Sequence, residues 1–235
     1  MDTRIELTKD KIVAGSGILK NMCPGMSLTL YDYTYLMMSY SDNTATDIIT
    51  EVVGLANVRE NILKKFGFGD TQVDYSCKEL LKITYDKFVP DGEVDKYTGR
   101  PTYRNGDYFR CAVEKNDQST PNEMARVFKM FYDGELPGKT AAEMALEIMK
   151  KCGTNSRIPA RLPLGVDVAH KTGSLGRLAN DGGVVYTDKG DYVLVLSYNG
   201  NLADYDEFCD NFRNMYGADL LSHLSREIYD AYMED

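Results

Sequence analysis

The sequence is poor in the residues that build metal centres and disulfide frameworks. Only two histidines occur, His170 and His223. No His-Glu-x-x-His or Cys/His cluster accompanies them, so zinc has no support and no metal or other cofactor is expected. Five cysteines, Cys23, Cys77, Cys111, Cys152 and Cys209, are odd in number and widely spaced, without a Cys-x-x-Cys pair. Buried or free thiols are the expectation. There is no Asn-x-Ser/Thr sequon. Long apolar runs are missing too: Val193–Leu196 falls far short of the ~18–20 residues that cross a bilayer. The opening Met1-Asp2-Thr3-Arg4 leads into no apolar stretch, so no signal peptide is expected in these residues. Basic residues are outnumbered 27 to 36, for a net charge of −9, which argues against a nucleic-acid partner.

What is there is ordinary globular material. The chain has 235 residues, 43% hydrophobic and 27% charged. That excludes disorder, collagen-like repeats and coiled coil, and suits one large domain or two small ones. Thr29 with Asp32 reads as a helix cap, with a helix from about 30 to 40. It stops at Ser41-Asp42-Asn43. Helices follow from about 44 to 53, closed by Gly54, and from 56 to 66, closed by Gly67. Residues 84–116 carry Pro90, Gly92, Gly99, Pro101 and Gly106 without a period, and read as a long loop. Thr120-Pro121-Asn122-Glu123 starts another helix, and Thr140-Ala141-Ala142-Glu143 repeats the device. After residue 165 the pattern predicts strands at 166–172, 183–187 and 191–198, the last two joined by Asp188-Lys189-Gly190. Val193 to Leu196 is apolar on both faces, so that strand expects cover on both sides. Asp204 caps a closing helix with a break at Gly217, and His223 sits on its face. Helices, an antiparallel meander and a packed C-terminal helix make an α+β fold.

Two tripeptides carry chemistry. Ser41-Asp42-Asn43 lies between two helices, and Lys171-Thr172-Gly173 ends a strand. A serine hydroxyl near an ammonium can relay a proton to a departing nitrogen. An asparagine amide can hold a substrate amide. Lysine and threonine at a strand end can bind a carboxylate, and a following glycine lets a substrate approach the strand. The plainer alternative is that Ser41 or Asn43 only caps the next helix and Lys171 is a surface lysine.

Ser-Asp-Asn followed far downstream by Lys-Thr-Gly resembles the class A β-lactamases and related penicillin-binding proteins. So do Gly15-Ser16-Gly17-Ile18-Leu19, the phrase from Leu28-Thr29 to Thr44-Ala45-Thr46, Asp117-Gln118-Ser119-Thr120-Pro121, Arg157-Ile158-Pro159-Ala160 and His170-Lys171-Thr172-Gly173. The resemblance implies Ser41 as the proton-relay serine, with Lys171 its catalytic partner, and Asn43 as a substrate-amide ligand. Lys171 and Thr172 would form the carboxylate-binding side. Gly173 and Ser174 would line the strand edge, the Ser174 N–H as an oxyanion-hole donor. Asp42 is expected to be structural.

Two departures matter. The family nucleophile belongs to a Ser-x-x-Lys motif roughly sixty residues before the Ser-Asp-Asn serine. Counting back from Ser41 passes residue 1, and no Ser-x-x-Lys occurs in the 235 residues. The family's deacylating glutamate should precede Asp117, but the spacing puts Arg104 there, and Glu93 and Glu114 sit in no matching phrase. The expectation is a single β-lactamase-like domain over 1–235, incomplete at its N-terminus, helical over about 18–155, with sheet and C-terminal helix over about 160–235. A homodimer or strand exchange would cover the missing segment. Its ligand would be a β-lactam or a cell-wall peptide. A D-alanyl-D-alanine peptidase and a non-catalytic binding module remain alternatives. The family is typically exported.

Overall fold

The computed structural model describes residues 1–88, 116–175, 178–199 and 210–234. They fall into two compact units. One comprises Met1–Met37 with Ser41–Gln118, the other Met38–Tyr40 with Ser119–Asp235.

In the first unit, β1 (Arg4–Glu6) pairs antiparallel with β2 (Ser27–Thr29), Ile5 opposite Leu28. α1 (Leu30–Ser39), whose last two residues belong to the second unit, starts on the expected cap. The Asp32 N–H donates to Thr29 Oγ1 at 3.1 Å, and the Thr29 N–H donates back to Asp32 Oδ2 at 2.8 Å. These reciprocal bonds satisfy two N–H groups that a helix start would otherwise orphan. α2 (Asn43–Val53) closes at Gly54, as the sequence predicts. α3 (Leu55–Val58) continues into a π-helical stretch, Arg59–Lys64. Leu7, Leu19, Tyr33, Ala45 and Ile48 form the core of this unit. Short β3 (Gln72–Val73) and β4 (Asp117–Gln118) pair antiparallel.

α4 (Cys77–Phe88) corrects the sequence reading, which placed no helix there and began a loop at residue 84. Its start is built twice over. Ser76 and Glu79 exchange N–H bonds with each other's side chains at 3.2 and 2.8 Å. The Asp47 carboxylate, distant in sequence, accepts from the N–H groups of Cys77 and Lys78 at 2.7 and 2.9 Å. The rest of that expected loop, with Arg104, Glu93 and Glu114, lies outside the described residues.

The second unit is a three-stranded antiparallel sheet in the order β5 (Val168–Leu175), β6 (Leu178–Val185), β7 (Tyr192–Asn199). Side-chain alternation splits it into two faces. Ala169, Val184, Val193 and Val195 pack with Phe128 of α5 (Pro121–Tyr132) and with Leu146 and Met149 of α6 (Lys139–Met149). Val168, Val185, Leu194 and Leu196 pack with Ile158 and with Tyr229 of α7 (Asp210–Glu234). So β7 is covered on both faces, as its sequence predicts. Fully burying a Val or Leu, as at Val184 and Val185, contributes about 1.5–3 kcal/mol.

α5 starts at Thr120, whose side chain accepts the Glu123 N–H at 3.2 Å, with Pro121 in the first turn. The parallel expectation for Thr140 fails. α6 begins at Lys139 after Gly138, with no side-chain cap, so Thr140 lies inside the helix. The strands also shift. β5 runs on to Leu175 and β6 begins at Leu178, so Lys171-Thr172-Gly173 lies within a strand rather than at its end. Asp204 lies outside the described residues. Gly217 does not break α7. A Cβ there would stand 2.5 Å from Tyr198 Cδ1 and 2.9 Å from Ala179 Cβ, so the glycine lets the helix lie close against the sheet. His223 is exposed on α7, as expected. No described helix is long and apolar enough to cross a membrane.

Candidate active site

In the first unit the Ser41-Asp42-Asn43 tripeptide forms the corner between α1 and α2. Ser41 has φ +50°, the only positive φ of a non-glycine residue among those described. That left-handed conformation costs about 1–3 kcal/mol and persists only where its surroundings enforce it. Here the Asp42 N–H donates back to Leu36 O at 3.1 Å, and the Asn43 N–H donates to Ser16 O at 3.2 Å.

Asp42 is fully buried and caps α2, its Oδ1 accepting the Ala45 N–H at 3.0 Å. Its Oδ2 accepts the N–H groups of Ile18 and Leu19 at 2.6 and 2.9 Å. The expected structural role of Asp42 is therefore visible in its contacts. The Gly15–Leu19 run owes its glycines to this clamp. Gly15 and Gly17 have φ of +89° and +102°. A Cβ on Gly17 would stand 2.2 Å from the Asp42 carboxyl carbon, and one on Gly15 would stand 2.6 Å from Asn43 Nδ2. Both the backbone conformation and the space require glycine. Asn43 Nδ2 donates to Ala14 O at 2.8 Å, which fixes the amide plane and commits one of its donors.

In the second unit Lys171, Thr172, Gly173 and Ser174 are consecutive residues of β5. Alternation puts Lys171 and Gly173 on one face and His170, Thr172 and Ser174 on the other. The Lys171 ammonium donates to Thr172 O at 2.6 Å. Thr172 is nearly buried and Ser174 is exposed.

The end of this strand is buttressed by a buried arginine. Arg157 is only 4% exposed. One terminal nitrogen donates to Gly173 O at 2.7 Å and also to Asn180 O; the other donates to Ser174 Oγ. Its Nε–H is enclosed and has no partner within the described residues. Burial lowers the proton affinity of the guanidinium, and nearby Asp181 opposes that. One turn of 3-10 helix, Ile158–Arg161, follows.

Behind Thr172 lies a second buried charge. His170 Nδ1 is 2.9 Å from Asp181 Oδ1, and its Nε2 is 3.1 Å from Asn155 Oδ1. Burial opposes charge on the ring, but hydrogen bonds to Asp181 and Cys152 outweigh it and push the imidazole up to about 9. Burial raises the Cys152 thiol, yet the same histidine draws it below its ordinary value. Among the described residues no group of three His, Cys, Asp or Glu side chains is placed to hold a metal ion.

Ser41 and Asn43 thus belong to the first unit, and Lys171, Thr172, Gly173 and Ser174 to the second. Two residues escaped the sequence reading. Arg157 stood in a quoted phrase without a role. Asp181 stood in Asn180-Asp181-Gly182-Gly183, a stretch whose composition hides a strand. A lone carboxylate amid glycines was the available signal.

The fold is similar to those of solved β-lactamases and of a penicillin-binding protein. A β-lactamase from Sphaerobacter thermophilus DSM 20745 is 25% identical, with a TM-score of 0.75 over all of this chain and 74% of its own. A class A β-lactamase from Bacteroides cellulosilyticus DSM 14838 is 23% identical, with a TM-score of 0.74 over all of this chain and 76% of its own. PBP-A, in a variant solved as an acyl-enzyme complex with penicillin G, is 22% identical, with a TM-score of 0.75 over all of this chain and 73% of its own. No curated protein matches. The profile described as the Beta-lactamase enzyme family covers residues 1–232, so with its α+β fold and its Ser-Asp-Asn and Lys-Thr-Gly segments this chain belongs to that family.

Proposed function

We propose that these residues form the substrate-binding part of a serine acyl-transfer fold that recognises a β-lactam or a cell-wall peptide through its carboxylate. The observation that carries this is the cationic end of β5: Thr172 and Ser174 share a face, the buried Arg157 is bonded to Gly173 and Ser174, and Lys171 adds a second cation from the strand's other face. Charge-assisted bonds to carboxylate are about twice as strong as neutral ones, and a buried guanidinium is already desolvated for them. In this reading Asn43 holds the ligand amide, the Ser174 N–H receives a developing oxyanion, and Ser41 and Lys171 handle protons. The strained backbone at Ser41 supports a functional rather than a purely capping role.

No Ser-x-x-Lys occurs in these 235 residues, so by themselves they bind ligand without turning it over. Nitrocefin should remain unhydrolysed, and benzylpenicillin should bind without a covalent adduct in the mass spectrum. Nitrocefin hydrolysis that disappears in Ser41→Ala would overturn the inactive reading. The absence of any binding would overturn the ligand-recognition reading, whereas stoichiometric binding without acylation is also the behaviour of a non-catalytic binding module that retains the pocket. The same carboxylate site suits a D-alanyl-D-alanine peptidase, because Arg104 stands where the deacylating glutamate is expected. Binding of a D-Ala-D-Ala peptide in preference to benzylpenicillin would select that alternative.

One side of β7 has no strand beside it among the described residues, and Leu220, Leu224 and Ile228 are exposed along α7. Both support a homodimer or strand exchange. Light scattering that shows a soluble monomer would count against it.

A further inference from the structure

The geometry points to Asp181 and His170 as positioning residues that hold Arg157 against the carboxylate-binding end of β5. The inference rests on the carboxylate-binding reading above and adds a specific device to it.

Asp181 sits on β6 opposite Thr172, and its side chain is fully enclosed. It makes two kinds of contact at once. Its carboxylate faces His170 Nδ1, with Oδ1 at 2.9 Å and Oδ2 at 3.1 Å. Oδ2 also accepts the Ile158 N–H at 3.1 Å. Ile158 is the residue after Arg157, so this bond fixes the chain at the point where the arginine side chain leaves it. Arg157 needs such a fixture. Its backbone, at φ −123° and ψ −112°, lies outside the helical and extended regions, and its guanidinium must reach three acceptors on β5 and β6.

A buried carboxylate can hold this place only if its charge is balanced. His170 supplies the balance at contact distance, and the nearby Arg157 guanidinium adds to it. The ring faces an acceptor at each nitrogen, Asp181 on one side and Asn155 on the other, which is the environment of a doubly protonated imidazolium. The groups that face it are Asp181 from β6, with Asn155 and Cys152 from the segment after α6. Lys171 is its neighbour in β5. The fold also makes room for the ring: a Cβ on Gly183 would stand 2.7 Å from His170 Cβ and 2.2 Å from Ala169 O. Neither Asp181 nor His170 is exposed enough to meet a ligand, both being 1% accessible. Their effect must pass through Arg157.

Asp181→Asn tests this. Asparagine can still accept the Ile158 N–H but cannot balance the imidazolium. Two readings are taken on the folded protein. The first is the ratio of affinities for benzylpenicillin and its methyl ester, which isolates carboxylate recognition. The second is the Arg157 Nε–Hε resonance in the 1H–15N spectrum, assigned by its loss in Arg157→Lys. The variant should lose at least ~10-fold of the acid-over-ester preference, shift the arginine resonance, and lower the titration of His170. Asp181→Glu should restore part of the preference. An unchanged ratio with an unmoved Arg157 resonance would overturn the proposal. If Asp181→Asn does not fold, His170→Gln is read by the same two measurements. If the unmodified protein binds neither penicillin, the carboxylate reading fails, and the arginine resonance still decides the positioning role.

Discussion

Asp42 offers the sharpest test of the first unit, because one carboxylate accepts three backbone N–H groups: Ala45 at 3.0 Å, Ile18 at 2.6 Å and Leu19 at 2.9 Å. It does so with no exposure to solvent. Asp42→Ala removes both acceptor oxygens, strips three N–H donors of their partner and leaves at least two of them buried. Loss of a helix N-cap alone costs about 0.5–2 kcal/mol, and each hydrogen bond to a charged group contributes about 1.5–3. Neighbouring terms do not add fully, so the expected loss is about 3–5 kcal/mol. Asp42→Asn should do little better. Both oxygens of Asp42 accept, so an amide NH2 must face either the Ala45 N–H or the Ile18 and Leu19 N–H pair. The charge that complements the positive end of α2 is lost as well. With no tryptophan in the chain, far-UV circular dichroism against urea is the natural assay. A loss below about 1 kcal/mol in Asp42→Ala, or an Asp42→Asn variant as stable as the parent, would refute the account of three N–H groups held by one carboxylate.

Gly217→Ala should destabilise although alanine is the better helix former by about 1 kcal/mol, because the new methyl meets Tyr198 and Ala179; a raised melting temperature would contradict the packing argument. His170 titrates near 9 when folded against an ordinary 6.5. Its stabilising contribution is therefore complete below about 6.5 and disappears as pH rises through about 9. Urea midpoints at pH 6, 8 and 10 should fall in that order, and His170→Gln should flatten the trend. Among the thiols of the described residues, exposed Cys23 should react first with Ellman's reagent at pH 8. Cys77, pushed up to about 12 chiefly by burial, should stay silent until the protein unfolds.

Much of the fold was legible because its signals are local. Thr29 with Asp32 and Thr120 with Glu123 are caps written within four residues, and both form. The apolar run from Val193 to Leu196 announced a strand covered on both faces, and Phe128 and Tyr229 lie on opposite sides of it. What stayed hidden depends on partners far away in sequence. α4 takes part of its cap from Asp47, thirty residues upstream. Gly217 reads as a breaker until Tyr198 is seen against it. The candidate site divides the same way. Its tripeptides can be read directly, whereas Arg157, Asp181 and the glycine clamp around Asp42 gain meaning only when separate segments meet. Thr140 had the letters of a cap without its position, because Gly138 and Lys139 had already begun the helix.

The bond from Ser39 Oγ to Ile148 O spans 109 residues of chain, and the Gly153 N–H returns to Ser39 O at 2.8 Å. Translation at ~5–20 residues per second separates the two partners by about 5–20 s. For that interval the end of α1 has been synthesised without the helix it binds. Met38 packs in the same cluster as Met149 and shares the wait. A nascent chain arrested between residues 40 and 148 would hold this apolar end unclaimed, a natural moment for a chaperone to bind.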